Sequence, residues 1–219
     1  MRLLRLSATG VMVIKRNPDE TRERILQAAF EEIHHNGFRS ASVDAILANT
    51  GLTKGALYHH FPNKAALGYA VVDEIIRRKI EEFWIKPIDR EPNPLEGLRG
   101  VFNGFSPEEM HMACTTGCPL NNLAQEMSPI DEEFRERIAA VYRAWQAGLV
   151  SRLEQGKVEG YVREDVDCDH ASTFLVAAIG GASGLAKNSQ DPNILLACAS
   201  GIRQFIDALR PVAVTVPLR

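Results

Sequence analysis

The sequence contains no run of about 18 apolar residues, the length that a membrane-spanning helix needs, so we expect no membrane partner. Cysteine is also scarce, with four in 219 residues, which is too few for a disulfide framework in a chain of this length. A reducing compartment is the default for such a chain, and we therefore expect a cytoplasmic protein. Hydrophobic residues make up 45% and charged residues 24%, which allows an ordinary packed core.

Motifs for catalysis are missing as well. The sequence has no phosphate-binding glycine loop, no dinucleotide fingerprint, no metal-binding quartet and no recognisable nucleophile–base–acid set. We therefore predict that the chain is not an enzyme and uses no cofactor and no metal. The competing interpretation is an enzyme or a sequestration protein with a chemically active C-terminal pocket.

The whole chain has a small net charge, but its N-terminal and C-terminal parts carry net charges of opposite sign. The net charge is −3, whereas residues 1–64 carry nine Lys or Arg and six Asp or Glu, and the remainder carries 16 and 22. A basic N-terminal part on an acidic body is typical of a protein that binds an anion at one end. The opening MRLLRLSATGVMVIKR is broken by polar residues and lacks a signal-peptide cleavage pattern, so we expect residues 1–18 to form a flexible arm, with Met12 as an alternative start.

Apolar residues at helical spacing dominate the first 85 residues. A first helix is predicted in NPDETRERILQAAFEEIHHNG, which ends at Gly37, and Ser42 can cap a short second helix. Thr53 can cap another short helix within LTKGALYHHF, and Asn63 can cap a long helix that continues to about residue 84. Two short helices joined by a turn of a few residues form a helix-turn-helix pattern.

The stretch TKGALYHHFPNK, residues 53–64, places polar side chains on the outside of the second short helix. A helix fits the major groove of DNA and its N-terminal N–H groups attract phosphate, so Thr53 and Lys54 suit that end. Gly55 and Ala56 are small enough for the backbone to approach DNA closely. The other interpretation is an ordinary helical hairpin with a solvated polar face.

Residues 19–79 resemble the N-terminal domain of the TetR family of bacterial transcriptional regulators. The resemblance rests on AAFEEI, the Gly37-Phe38 pair, Ser42-Val43 at the start of a short helix, GLTKGALYHHF, and NKAAL at the entry to the fourth helix. It implies DNA contacts from nine residues, namely Ser42, Thr53, Lys54, Gly55, Ala56, Tyr58, His59, His60 and Lys64. The His59-His60 pair departs from the family pattern, in which Tyr or another aromatic residue before His is commoner, and it leaves open which base His59 reads.

The resemblance also implies the fold and the mode of action. We expect an all-α protein in which an N-terminal three-helix helix-turn-helix domain, residues 19–79, is joined by a long helix to a helical ligand-binding and dimerisation domain. That second domain is expected at residues 80–210, before a loose tail at 211–219. Such regulators bind a double-stranded DNA operator as homodimers and respond to a small-molecule effector. The expected function is therefore ligand-responsive transcriptional regulation, with repression released by the effector.

The C-terminal part contains aromatic and sulfur-containing residues that can line an effector pocket or simply form the core. The candidate pocket residues are Phe83, Trp84, Phe102, Phe105, Met110, Cys114, Cys118, Tyr142, Trp145 and Phe174. The Pro-rich segment at residues 86–97 is a candidate hinge. Helices at about 131–156 and 169–188 are candidates for the dimer interface, and small residues on the second permit close helix approach: Gly180, Gly181, Ala182 and Gly184.

The segment CTTGCPLNNLAQEM resembles one that lies at the pocket wall in a subset of TetR-like regulators. Cys114 and Cys118 are four residues apart, so they can face each other on one helical turn. One interpretation is a thiol-based sensor of oxidants or electrophiles. The other is that both are small buried residues.

Overall fold

The structure of the protein is a computed structural model that describes residues 18–48 and 50–211. Every regular element in these residues is helical, which confirms the expected all-α class. The described chain divides into two compact units, with the division between Val71 and Val72. The predicted flexible arm, apart from its last residue, and the predicted tail beyond residue 211 lie outside the described residues.

The first unit contains four helices: α1 (Pro18–Asn36), α2 (Val43–Ala48), α3 (Lys54–His60) and α4 (Lys64–Ala70). Their core is formed by fully or almost fully buried apolar side chains, which are Ile25, Leu26, Ala29, Ile46, Leu57 and Leu67. Gly51, in the turn between α2 and α3, has a φ of 63°, a conformation that favours glycine. This turn separates the two short helices that the sequence predicts.

Three side-chain caps fix where these helices begin. The Ser42 hydroxyl accepts a hydrogen bond from the Ala45 N–H, and the Thr53 hydroxyl accepts one from the Ala56 N–H. The side-chain amide oxygen of Asn63 accepts one from the Ala66 N–H. Each cap satisfies an N–H group that a helix start leaves without an internal partner, so the predicted caps are confirmed.

The predicted long helix after Asn63 is helical but not uniformly α-helical. After α4 the chain forms a π-helical segment (Val71–Ile76), α5 (Arg77–Ile80), a second π-helical segment (Glu81–Ile85) and α6 (Lys86–Asp89). Each π-helical turn holds an extra residue and therefore rotates the side chains that follow it around the helix axis. The second segment carries Phe83 and Trp84.

The second unit continues through α7 (Pro94–Asn103), α8 (Pro107–Thr115), α9 (Pro119–Met127), α10 (Glu132–Val158), α11 (Cys168–Ser189) and α12 (Pro192–Ala208). Four of them begin with proline, whose missing N–H costs nothing in the first helical turn. The candidate hinge at residues 86–97 contains α6, the bend at residues 90–93 and the first turn of α7. A Cβ atom on Gly97 would lie 2.9 Å from the Cα atom of Ile88.

The core of the second unit lies along α10 and α11. The buried side chains of α10 are Phe134, Ile138, Val141, Trp145, Leu149 and Leu153. Arg137, on the same helix, donates hydrogen bonds to the carboxylates of Asp73 and Glu133, and so ties the first π-helical segment to α10. Among the described residues, no helix is long and apolar enough to cross a membrane.

Candidate functional site

The outward face of α3 is polar, whereas its inward face is held by Leu57. Leu57 is completely buried, while Tyr58 is 49% exposed and Lys54 and His59 are also exposed. Since Leu57 packs into the core of the first unit, the helix is anchored by one side chain and presents the others to solvent. Lys54, Tyr58 and His59 are therefore free of any packing role that would hide them.

Gly55 lies in the first turn of α3 with no packing reason for its small size. A Cβ atom at this position would meet only the Thr53 hydroxyl oxygen, at 3.8 Å, which is ordinary van der Waals contact. Glycine within a helix costs roughly 0.5–1 kcal/mol relative to alanine. Gly55 therefore weakens α3 without relieving a steric clash inside the fold. Its small size is consistent with a close approach of another molecule to the helix backbone.

Replacing Gly55 by alanine is expected to stabilise the protein and weaken its DNA binding. The free energy of unfolding should rise by about 0.5 kcal/mol, because the unfolded chain loses conformational freedom. Operator affinity should fall about tenfold, or about 1.4 kcal/mol, because the methyl group separates the helix backbone from the duplex. Urea unfolding and a mobility-shift titration measure the two effects.

Gly100→Ala is the matched control for this experiment. Gly100 lies on α7, is exposed, and has no atom within 4 Å of the position that a Cβ would take. The same small stabilisation is expected there with unchanged operator affinity. A Gly55→Ala protein that binds the operator as tightly as the wild type would contradict close backbone approach at α3.

Lys54 is not a free cation at the start of α3. Its ammonium lies 2.8 Å from the Asp44 carboxylate on α2, and both side chains are largely exposed. The hydrogen bond to Asp44 raises the pKa of Lys54, so the lysine remains charged. The sequence analysis did not identify Asp44, because a pairing across the turn between two helices leaves no mark in residue spacing.

The other predicted DNA contacts lie around α3 and differ in their accessibility. Ser42 is exposed and caps α2, and His60 is half-buried with its ring 6.4 Å from that of Phe61. The Lys64 ammonium donates a hydrogen bond to the Arg39 carbonyl oxygen and lies 4.7 Å from the centre of the Phe38 ring. Lys64 therefore already stabilises the turn before α2.

Five of the predicted pocket residues form one continuous cluster of rings in the second unit, which we call the ring cluster: Phe83, Trp84, Phe102, Phe105 and Trp145. The Trp84 ring centre lies 5.4 Å from that of Trp145, 5.7 Å from that of Phe102 and 6.4 Å from that of Phe105. Phe83 joins through Phe105, at 5.7 Å. Such ring pairs stabilise the folded chain by more than the burial of their apolar area alone.

The remaining pocket candidates are more scattered. Phe174 belongs to a different ring pair. Its ring centre lies 4.4 Å from that of Phe205 on α12, and its side chain is 47% exposed. Met110 is half-buried on α8. Tyr142 lies one turn before Trp145 on α10, and burial, with a smaller contribution from Cys118, raises its pKa to about 12.

The two cysteines predicted to face each other on one helical turn do not share a helix. Cys114 is in the last turn of α8, and Cys118 immediately precedes α9, with Gly117 at a φ of 72° between them. Both are free thiols, and burial raises the pKa of each. The thiolate is the reactive form, so this environment does not favour a thiol sensor.

In the described part of the chain, no group of three His, Cys, Asp or Glu side chains is arranged to hold a metal ion.

Two family models match the chain. The model for bacterial regulatory proteins of the tetR family matches residues 25–71, and that for the tetracyclin repressor-like C-terminal domain matches residues 94–200. The HTH-type transcriptional regulator LmrA of Bacillus subtilis (strain 168) is 30% identical over 195 residues, covering 85% of this chain and 97% of LmrA.

A second relative and a solved structure agree with these matches. The HTH-type transcriptional repressor KstR2 of Mycobacterium tuberculosis is 30% identical over 160 residues, or 70% of this chain and 75% of KstR2. The crystal structure of a TetR transcriptional regulator from Chloroflexus aurantiacus J-10-FL has a TM-score of 0.78 and 24% identity, covering 90% of this chain and 98% of that one. The structural likeness supports the fold described above.

Proposed function

The chain belongs to the TetR family of bacterial regulatory proteins, and we propose that it acts as a homodimeric repressor that a small molecule releases from its DNA operator. DNA-binding transcriptional regulation is the function of this family, and repression is named for the relative KstR2. Because the operator is chromosomal DNA, the proposed place of action is the bacterial cytoplasm. We propose no enzymatic step.

The observation that best supports this proposal is that α3 has one buried face and one exposed polar face. Leu57 is buried and anchors the helix, whereas Lys54, Tyr58 and His59 point away from the core and are exposed. A helix presented in this way can enter a major groove with its N-terminal residues at the base edges. Lys54 then provides a phosphate contact at the helix start.

The proposed dimer interface is an apolar face on α11 and α12, which we call the α11–α12 seam. Its residues are Phe174, Ala178, Gly181, Leu185, Gly201 and Phe205. Four of them recur at positions 174, 178, 181 and 185, which fall on one side of α11. Leu185 is 59% exposed, and nothing lies within 4 Å of where a Cβ on Gly181 or Gly201 would be. The sequence analysis paired α11 with α10, but the only large apolar side chain that α10 exposes is the terminal Val158.

The proposed effector site is the ring cluster of the second unit. Two copies of the protein would place two α3 helices in major grooves about 34–36 Å apart on a near-palindromic operator. An effector that favours a different arrangement of the second unit would lower operator affinity. A coupling free energy of roughly 1–3 kcal/mol is sufficient for a 5–150-fold decrease.

A mobility-shift titration of the DNA upstream of the gene tests this proposal, with Lys54→Ala as the informative variant. Wild-type binding should weaken steeply as salt is raised, with a log–log slope of about −0.9 for each phosphate contacted. Lys54→Ala should weaken binding to the operator and to unrelated duplex DNA alike, by roughly 3–10-fold, and reduce the slope by about one contact.

Asp44→Asn is the control that changes the same ion pair from the other side. It removes a negative charge beside the duplex and releases Lys54, so affinity for DNA of any sequence should rise by about threefold. Unchanged affinity of Lys54→Ala for both kinds of DNA would show that the lysine is misplaced. Wild-type protein that binds no DNA, or binds without salt dependence, would count against repression itself.

A further inference from the structure

The strongest unexplained feature of the second unit is the indole N–H of Trp145. Trp145 is 2% exposed, and its Nε1 atom is completely buried without a hydrogen-bond partner among the described residues. A buried tryptophan N–H usually has an acceptor, because an unpaired donor in an apolar environment costs free energy. The fold therefore holds a donor that it does not itself satisfy.

The surroundings of this donor are flat and apolar. The centres of the Trp145 and Trp84 rings lie 5.4 Å apart, and their planes are tilted by 31° to each other. Since the N–H bond lies in the plane of the indole, this geometry does not direct it at the face of Trp84. Phe102 and Phe105 also contact Trp84, at ring-centre distances of 5.7 and 6.4 Å, and extend the aromatic wall.

Two polar groups on this side of α10, the Tyr142 hydroxyl and the Cys118 thiol that influences its pKa, are uncharged. Tyr142 lies three residues before Trp145 on α10 and hence on the same side of the helix. Burial raises the pKa of Tyr142 to about 12 and also raises that of the Cys118 thiol, so both are protonated at neutral pH. Neither supplies the opposite charge that an ionised ligand would need for burial.

The aromatic wall is attached to an irregular part of the backbone. Phe83 and Trp84 lie on the π-helical segment Glu81–Ile85, and π-helical turns within α-helices are frequent at functional sites. The same segment rests directly on α10, because a Cβ atom on Gly148 would be only 2.8 Å from Ile85 Cδ1. A molecule inserted beside Trp145 would therefore push against this π-helical segment.

We propose that the Trp145 N–H donates a hydrogen bond to the effector, which is a neutral, ring-bearing molecule with an oxygen acceptor. The rings of Trp84, Phe102 and Phe105 would contact its apolar body, and Trp145 would fix its orientation. This inference rests on the proposed function, since it assigns the chemical class of the molecule that releases the DNA.

Three naphthalenes of similar size test the proposal by calorimetric titration. They are 2-acetylnaphthalene, which has a carbonyl acceptor, 2-isopropenylnaphthalene, which has the same shape without oxygen, and the charged 2-naphthoate. Wild-type protein should bind the ketone at least fivefold more tightly than the alkene, as one added hydrogen bond allows. Naphthoate should bind more weakly than the ketone.

Trp145→Phe removes the donor and keeps an aromatic ring. It should abolish the preference for ketone over alkene, while Trp84→Phe, the matched loss of an indole from the ring cluster, should change both affinities by a similar factor. Retained preference in Trp145→Phe, equal binding of the two probes by the wild type, or no binding of the ketone up to its solubility would overturn the inference. The wild-type comparison decides the matter if Trp145→Phe does not fold.

Operator binding by the same proteins separates this inference from the proposed function. Wild-type protein should bind the operator without any naphthalene, because the proposed DNA-binding helix α3 lies in the first unit and repression needs no effector. If operator binding holds and the ketone preference is absent, only the assigned ligand class is wrong. If the wild type binds no operator, the proposed repressor function fails.

Discussion

Replacing Tyr58 by aspartate is expected to abolish operator binding while leaving the protein folded. Tyr58 is 49% exposed on the outward face of α3, so the substitution should change the free energy of unfolding by no more than about 0.5 kcal/mol. In the complex, the aspartate would replace a donor to DNA phosphate with a negative charge beside it. We expect operator affinity to fall by roughly 100-fold or more, measured by mobility shift at 150 mM salt.

Leu57→Ala provides the comparison, because the neighbouring residue has the opposite environment. Leu57 is completely buried, so truncation should lower the free energy of unfolding by about 2–5 kcal/mol. Its DNA binding should decline only as far as the protein unfolds. If Tyr58→Asp instead lowered stability to a similar extent, or bound the operator normally, the outward face of α3 would not be the DNA-binding surface.

The sequence predicted those parts of the fold that local chemistry determines. Thr53 and Asn63 precede short apolar repeats and accept hydrogen bonds from N–H groups three residues later, as capping residues do. Asp191 likewise caps α12, where its side chain accepts a hydrogen bond from the Asn193 N–H two residues later. These signals lie within a few residues of each other, so their meaning does not depend on how the rest of the chain packs.

The sequence could not predict features that depend on distant neighbours. The π-helical segments after α4 have no distinctive composition, and the first is tied to α10 through Arg137, 64 residues from Asp73. The ion pair of Lys54 with Asp44 and the unpaired N–H of Trp145 likewise exist only in the folded arrangement. For the same reason, aromatic composition could nominate pocket residues but could not separate Phe174 from the ring cluster.

Glycines without internal neighbours connect the two proposed binding surfaces. Gly97 is required inside the fold, since a side chain there would collide with the backbone of Ile88. Gly55, Gly181 and Gly201 have no such constraint, although each lies within a helix that alanine would stabilise. The lack of internal neighbours alone does not distinguish them from the control residue Gly100, so their role rests on the two surfaces proposed above: close approach of DNA at α3 and of a second protomer at the α11–α12 seam.

Replacing Leu185 by aspartate is expected to convert the proposed dimer to monomers. In a two-fold symmetric interface each substitution occurs twice, so two apolar contacts are lost and two charges are placed in the seam. With about 1.5–3 kcal/mol for each buried leucine, the two contacts together account for about 3–6 kcal/mol, so the dissociation constant should rise at least about 100-fold. Sedimentation velocity at micromolar concentration measures the change, and operator affinity should fall with it because one α3 helix reads only half of the site.

Val158→Asp is the matched control for the seam. Val158 is 89% exposed at the end of α10, so it receives the same charge change outside the α11–α12 seam. This variant should remain dimeric and bind the operator like the wild type, because the new aspartate stays in water. Leu185 is itself 59% exposed in the single chain, so its substitution should leave each protomer folded. A folded Leu185→Asp protein that stays dimeric would therefore place the interface elsewhere on the second unit, and monomers from both variants would show a general sensitivity to charge rather than a seam.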